Sequence, residues 1–257
     1  MRRLIEFPCA GDMLMGTLDE APGETGLLIV SGGNEIRIGA HRGMALLAAR
    51  VAGELGAPVF RFDRRGIGDS TGVNRGFESS VEDIAAAAAT FAAEVPQLRR
   101  IVAFGNCDAA TALALFHSAA GVDALLLANP WVVETTDDLP PAAAIRARYV
   151  ERLRDPKAWL RLIRGAVDIG KLIKGLAKIS DRKSQDSALA TRMSEALSGS
   201  GIPVTFLLAR GDNTAIAFRD AWRAPARIET CDTASHSFAR AEDKQWLFER
   251  VREALAS

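Results

Sequence analysis

Cysteine and histidine are scarce in this chain. Its 257 residues include three cysteines, Cys9, Cys107 and Cys231, and three histidines. A sparse, odd set of cysteines is no disulfide framework, and no C-x-x-C pair exists to hold zinc. The same scarcity predicts a reducing, cytoplasmic setting. Neither sign of charge is in excess, since 32 Lys and Arg face 32 Asp and Glu. A net charge of zero supplies no global field for nucleic acid, so no such partner is expected. No apolar run approaches the ~18 residues of a membrane span. After Arg2 and Arg3, the residues Glu6, Pro8, Gly11 and Asp12 break any apolar signal core. G-x-G-x-x-G is not met, and neither a cofactor nor a metal is expected.

What is present is a rhythm of apolar strands and amphipathic helices. Residues 2–20 hold two short alternating runs, which predict an antiparallel hairpin at a sheet edge. L-L-I-V (27–30), V-F-R-F-D (59–63), R-I-V-A-F (100–104), L-L-L-A-N-P (125–130), I-P-V-T-F-L-L-A (202–209) and R-I-E-T-C-D (227–232) read as buried strands. Helices are expected at about 40–55, 81–94, 109–115 and 240–256, with Ser80 and Asp83 resembling a capping box before the second. Strands and helices alternating in this way predict an α/β fold with a mostly parallel sheet covered on both faces. A hydrophobic content of 48% suits one large domain.

Residues 134–200 interrupt the rhythm with a helical, locally basic pattern in which Arg and Lys alternate with Trp159, Leu160, Ile163, Ile169 and Leu172. This span is expected to be a helical lid inserted into a core of 1–133 and 201–257. Its bland reading is a solvated basic face; the sharper one is peripheral contact with a membrane or an anionic polymer.

The chain is organised around G-N-C-D-A (105–109), between the strand at 100–104 and the helix that follows. A strand that turns abruptly into a helix through G-x-nucleophile-x-small exposes the nucleophile at the carboxyl end of a sheet. The helix N-terminus behind it favours negative charge. Small residues are needed because Cβ atoms at positions 105 and 109 crowd the neighbouring strand and helix. Ala109 stands where glycine is usual, so a slightly less tight turn is expected. Taken alone, a cysteine in an Ala-rich junction is an ordinary core residue.

A nucleophilic thiol needs a base, and the base an orienting group. His117 lies too far along the helix after Cys107 and reads as a packing residue. His41 reads as a solvent-facing helix start. His236 follows the last strand and falls on the same sheet edge as Cys107. Asp212, in R-G-D-N-T after the strand at 202–209, is the expected orienting acid; Glu134 and Asp137 are weaker candidates. The order Cys107, Asp212, His236 is the nucleophile–acid–histidine order of the α/β-hydrolase fold. The oxyanion donors are expected to be the backbone N–H of Asp108 and that of Gly33 or Asn34, in S-G-G-N after the strand at 27–30. The Asp108 carboxylate is an awkward neighbour for a thiol and is expected to point away and bind something else. Gly68-Asp69-Ser70-Thr71-Gly72 fits G-x-S-x-G, but no helix follows, and D-R-R-G-I-G-D-S-T-G reads as a structural loop.

At these residues the sequence resembles the α/β-hydrolase superfamily over essentially its full length. S-G-G-N-E with H-R-G, F-D-R-R-G-I-G-D-S, G-N-C-D-A-A and A-N-P-W-V together resemble the first type of exosortase A system-associated hydrolase. That resemblance implies an ester, thioester or acyl-transfer enzyme linked to exopolysaccharide biosynthesis, acting on a small-molecule acyl substrate through Cys107. The cysteine nucleophile is also similar to that of dienelactone hydrolases. The alternative is a non-catalytic accessory protein of the same fold that binds glycan or lipid intermediates.

Overall fold

A computed structural model describes residues 1–132 and 188–257. The described strands form one eight-stranded sheet in the order β1-β2-β4-β3-β5-β6-β7-β8. β1 (Arg2–Cys9) and β2 (Asp12–Asp19) make the antiparallel edge hairpin. From β4 to β8 all pairings are parallel. The remaining strands are β3 (Thr25–Val30), β4 (Val59–Phe62), β5 (Arg100–Asn106), β6 (Ala124–Ala128), β7 (Val204–Ala209) and β8 (Arg227–Cys231).

The central strands β3, β5 and β6 are apolar runs because both of their faces are covered, whereas β8, at the sheet edge, leaves Arg227 and Ile228 exposed. Leu28, Val30, Phe60, Ala103, Leu125, Leu127 and Phe206 face one layer. That layer is α2 (Val81–Glu94), α3 (Asp108–Ala120), α4 (Ala188–Leu197) and α5 (Asn213–Ala221). Their alternates Leu27, Ile29, Val59, Val102, Phe104 and Leu126 face α1 (Gly43–Leu55) and α6 (Ala241–Ala256). The period-2 pattern of each strand therefore sorts its side chains between two cores.

The chain visits β3, steps outward to β4, and then crosses to β5 on the opposite side of β3. The carboxyl ends of β3 and β5 thus border the point where the strand order reverses, where open α/β sheets bind ligands. Cys107 follows β5, and the Gly32–Gly33 loop follows β3.

One local expectation is corrected, and one helix was not foreseen. Ser80 and Asp83 form no capping box, as the Ser80 side chain makes no cap hydrogen bond. Its hydroxyl bonds the Phe77 carbonyl, while the Asp83 carboxylate binds the backbone N–H and guanidinium of Arg65. A paired guanidinium outcompetes a lone backbone donor for a carboxylate. The helix α5, which Asp212 opens within R-G-D-N-T, is absent from the expected set of helices. The last part of the 134–200 span, α4, packs against α3, and Met193 is fully buried in the core. Glu134, Asp137 and the basic stretch through Lys178 lie outside the described residues.

Ser70 is locked into structure, as expected for a loop residue. Its hydroxyl donates to the Asp63 carbonyl at 2.7 Å and accepts the Met15 N–H at 2.9 Å. Ser70→Ala would strand the Met15 donor, and the expected cost in denaturant unfolding is about 1–3 kcal/mol.

Candidate active site

The elbow is built by close approach. A Cβ on Gly105 would lie 2.8 Å from the backbone C and O of Ala109 and 2.9 Å from the N of Ala110. Only glycine lets β5 meet the first turn of α3 at that distance. Cys107 then takes φ 63°, ψ −128°, a conformation that side chains rarely adopt. Two bonds to neighbouring chain hold it there: the Cys107 N–H reaches the Ala128 carbonyl at 3.0 Å, and the Trp131 N–H reaches the Cys107 carbonyl at 3.3 Å. The thiol is half-buried, whereas Cys9 and Cys231 are buried. Burial and a facing carboxylate, Asp83 or Asp243, push each of those two thiols up to about 11.

His236 comes from the loop after β8. Its Nδ1 lies 3.1 Å from Asp212 Oδ2, and Cys107 is near enough to act on the charge of the ring. The same Oδ2 accepts the N–H groups of Thr214 and Ala215 at 3.0 Å each, so Asp212 caps α5 while it orients the ring. Burial opposes charge on His236, but Asp212 and Cys107 outweigh it and raise its pKa to about 10. Burial likewise opposes charge on Asp212, and the hydrogen bond from His236 leads the groups that overcome it and hold the carboxyl below its ordinary value. Because the folded value of His236 exceeds the unfolded one, its contribution to stability is complete below about pH 6.5 and is lost as pH climbs through about 10. Histidine NMR is expected to find the ring still protonated at pH 8. In Asp212→Asn, whose amide still caps α5, the titration is expected to fall toward the ordinary value of about 6.5.

The Asp108 N–H, at the start of α3, has no hydrogen-bond partner among the described residues and adjoins the sulfur-bearing residue. The loop after β3 packs directly on the elbow. A Cβ on Gly32 would sit 2.5 Å from the Asn106 carbonyl and 2.9 Å from Asp108 Oδ1. One expectation is corrected here. The Asp108 side chain binds the loop after β3: its Oδ1 accepts the Gly33 N–H at 2.6 Å. Gly33, expected to offer that N–H to an oxyanion, already gives it to Asp108. Asn34 lies one residue further on, exposed, with its side-chain oxygen bonded by Asn74.

Three residues of the site were not nominated from sequence. Asn129, fully buried, and Asn106 both donate a side-chain N–H to the His236 carbonyl, at 3.0 and 3.1 Å. Asn129 also donates to Asn106 Oδ1 and accepts the Ala209 N–H, tying together the ends of β5, β6 and β7. The polar residue closing the all-apolar strand L-L-L-A-N was the available signal. Arg64 is buried beneath the β3 loop and donates to the Gly33 carbonyl at 2.6 Å. His117 is buried in α3 and His41 is exposed, as expected.

A parallel sheet with a strained strand-to-helix elbow, and an acid and a histidine on later strand ends, defines the architecture of an α/β hydrolase. The chain belongs to the alpha/beta hydrolase family, whose model matches residues 27–250. Among solved structures it is similar to the Pyrococcus furiosus esterase Pf2001, at 15% identity and a TM-score of 0.64, covering 100% of this chain and 90% of that one. It is similar also to the alpha/beta hydrolase GrgF from Penicillium sp. sh18, at 17% identity and a TM-score of 0.64, covering 99% and 98%. A third is Est1E from Butyrivibrio proteoclasticus, a structure with bound ferulic acid, at 14% identity and a TM-score of 0.61, covering 98% of each chain. At such identities the likeness is one of fold. No curated protein matches the chain.

Proposed function

We propose that the chain is a cysteine-dependent acyl hydrolase or acyltransferase, with Cys107 as nucleophile, His236 as proton carrier and Asp212 as the group that orients it. The observation that carries this reading is the His236 imidazole, 3.1 Å from the Asp212 carboxylate and with Cys107 acting on its charge. In a cysteine–histidine pair the thiolate is the attacking form and the imidazole carries the proton. Sulfur bonds to the acyl carbon of an ester or thioester, and the carbonyl electron pair moves onto oxygen. Collapse breaks the bond to the leaving group, which takes the proton of His236. Water, or a sugar hydroxyl, then gives its proton to the neutral ring as it attacks the thioester. The second collapse expels the sulfur as thiolate and restores the starting charges. The Asp108 N–H and a donor of the β3 loop would face the oxygen; each donor of this kind is worth about 2.7–4 kcal/mol.

The likeness of S-G-G-N-E, G-N-C-D-A-A and A-N-P-W-V to exosortase A system-associated hydrolases adds a context to the proposal, an acyl transfer linked to exopolysaccharide synthesis. The experiment is mass spectrometry after brief exposure to a p-nitrophenyl ester, together with iodoacetamide labelling near pH 7. An acyl adduct confined to Cys107, and alkylation of Cys107 far ahead of Cys9 and Cys231, are expected. Absence of any adduct with equal labelling of all three thiols would overturn the reading. It would favour the accessory-protein alternative, for which the occupied Gly33 N–H is the supporting observation.

A further inference from the structure

We propose that the Asp108 side chain is an internal competitor for the oxyanion donor of Gly33, and that acyl transfer requires its carboxylate to swing from Gly33 toward Arg64. The inference rests on Cys107 being the nucleophile. Four observations carry it. Asp108 is the residue after Cys107, so its own N–H and its carboxylate border the same small volume beside the sulfur. Its Oδ1 accepts the Gly33 N–H at 2.6 Å, a short, charge-assisted bond. Its Oδ2 lies 3.4 Å from a nitrogen of Arg64, too long for a strong bond but close enough to become one by a small rotation. Arg64 is itself fixed, 4% exposed and anchored on the Gly33 carbonyl, so the guanidinium does not move to the carboxylate.

The structure shows one position of this carboxylate, and the proposal adds a second. In the first it satisfies the loop donor and keeps an exposed glycine, at φ 55°, in its turn. In the second it pairs with Arg64 and leaves the Gly33 N–H for a substrate oxygen. A ground-state carbonyl is a weaker acceptor than a carboxylate and displaces it poorly; a developing oxyanion competes on equal terms. Donors with activated carbonyls are therefore favoured over ordinary esters.

The test compares two reactions of Cys107 in one protein. Iodoacetamide alkylation needs the sulfur and no oxyanion donor; acylation by a p-nitrophenyl ester needs both. Asp108→Asn removes the charge and leaves an oxygen able to hold Gly33. Asp108→Ala removes both, and Asp108→Ser repeats it with a side chain too short to reach. The proposal expects the ratio of acylation to alkylation rates to rise at least about tenfold in the Ala and Ser variants over Asn, each variant first shown folded by thermal unfolding. Equal ratios in all three overturn it, since charge alone then accounts for Asp108. A fall in the ratio in Ala and Ser also overturns it, since the carboxylate then holds the loop in its working shape. A sluggish sulfur in the unaltered protein, with no acylation at all, instead defeats the proposed function beneath it.

Discussion

Cys107→Ala is expected to lower p-nitrophenyl ester turnover by at least about 10³-fold and to leave a cooperative thermal transition. Removing the group that forms the covalent intermediate in a nucleophile–histidine–acid site costs about as much as removing the whole set. The double variant Cys107→Ala, His236→Ala should accordingly be no slower than Cys107→Ala alone. Steady-state rates of the three proteins decide it; independent, multiplying losses would show that the two residues do not act together. The same position carries a second expectation, opposite in sign. Alanine inherits the strained backbone of Cys107 at φ 63°, ψ −128°, whereas glycine adopts it freely. Such strain is worth about 1–3 kcal/mol, so Cys107→Gly is expected to raise the denaturant midpoint above that of Cys107→Ala.

The other large effect is expected at Gly105. In Gly105→Ala the new methyl would meet the Ala109 C and O at 2.8 Å and the Ala110 N at 2.9 Å. All three are backbone atoms at the start of α3, so no rotamer change relieves the contact. The helix must move off β5, at a cost of about 1–3 kcal/mol. The movement carries Cys107 away from His236, and misplacement of about 1 Å can cost 10²-fold in rate. A lowered denaturant midpoint with slowed iodoacetamide labelling of Cys107 is the expected pair of results. An unchanged labelling rate would show that the sulfur's setting does not depend on the contact of β5 with α3.

The strands at the centre of the sheet, β3, β5 and β6, were readable because each is an apolar run long enough to be buried on both faces; the order of the strands was not read from the sequence. Cys107, Asp212 and His236 were readable because each follows a strand, and parallel strands deliver their ends to one edge. What escaped is side-chain choice among competing partners. Asp83 could cap a helix or bind Arg65, and spacing cannot rank the two. Asp108 could face solvent or Gly33, which lies 75 positions away in the chain. Helix α5 was missed because D-N-T is good turn chemistry and good cap chemistry alike. Asn129 hides in the same way: its role lies in a carbonyl of a loop that follows two further strands.

Asp212 concentrates three donors, two backbone and one imidazole, on a single oxygen. The carboxylate that faces His236 is thus also the lock on the first turn of α5, so its aim depends on that turn staying folded. Fraying of that one turn would loosen the carboxylate, and with it the tautomer and aim of His236, while the sheet stayed intact. Warming the protein should therefore silence it some degrees before it melts.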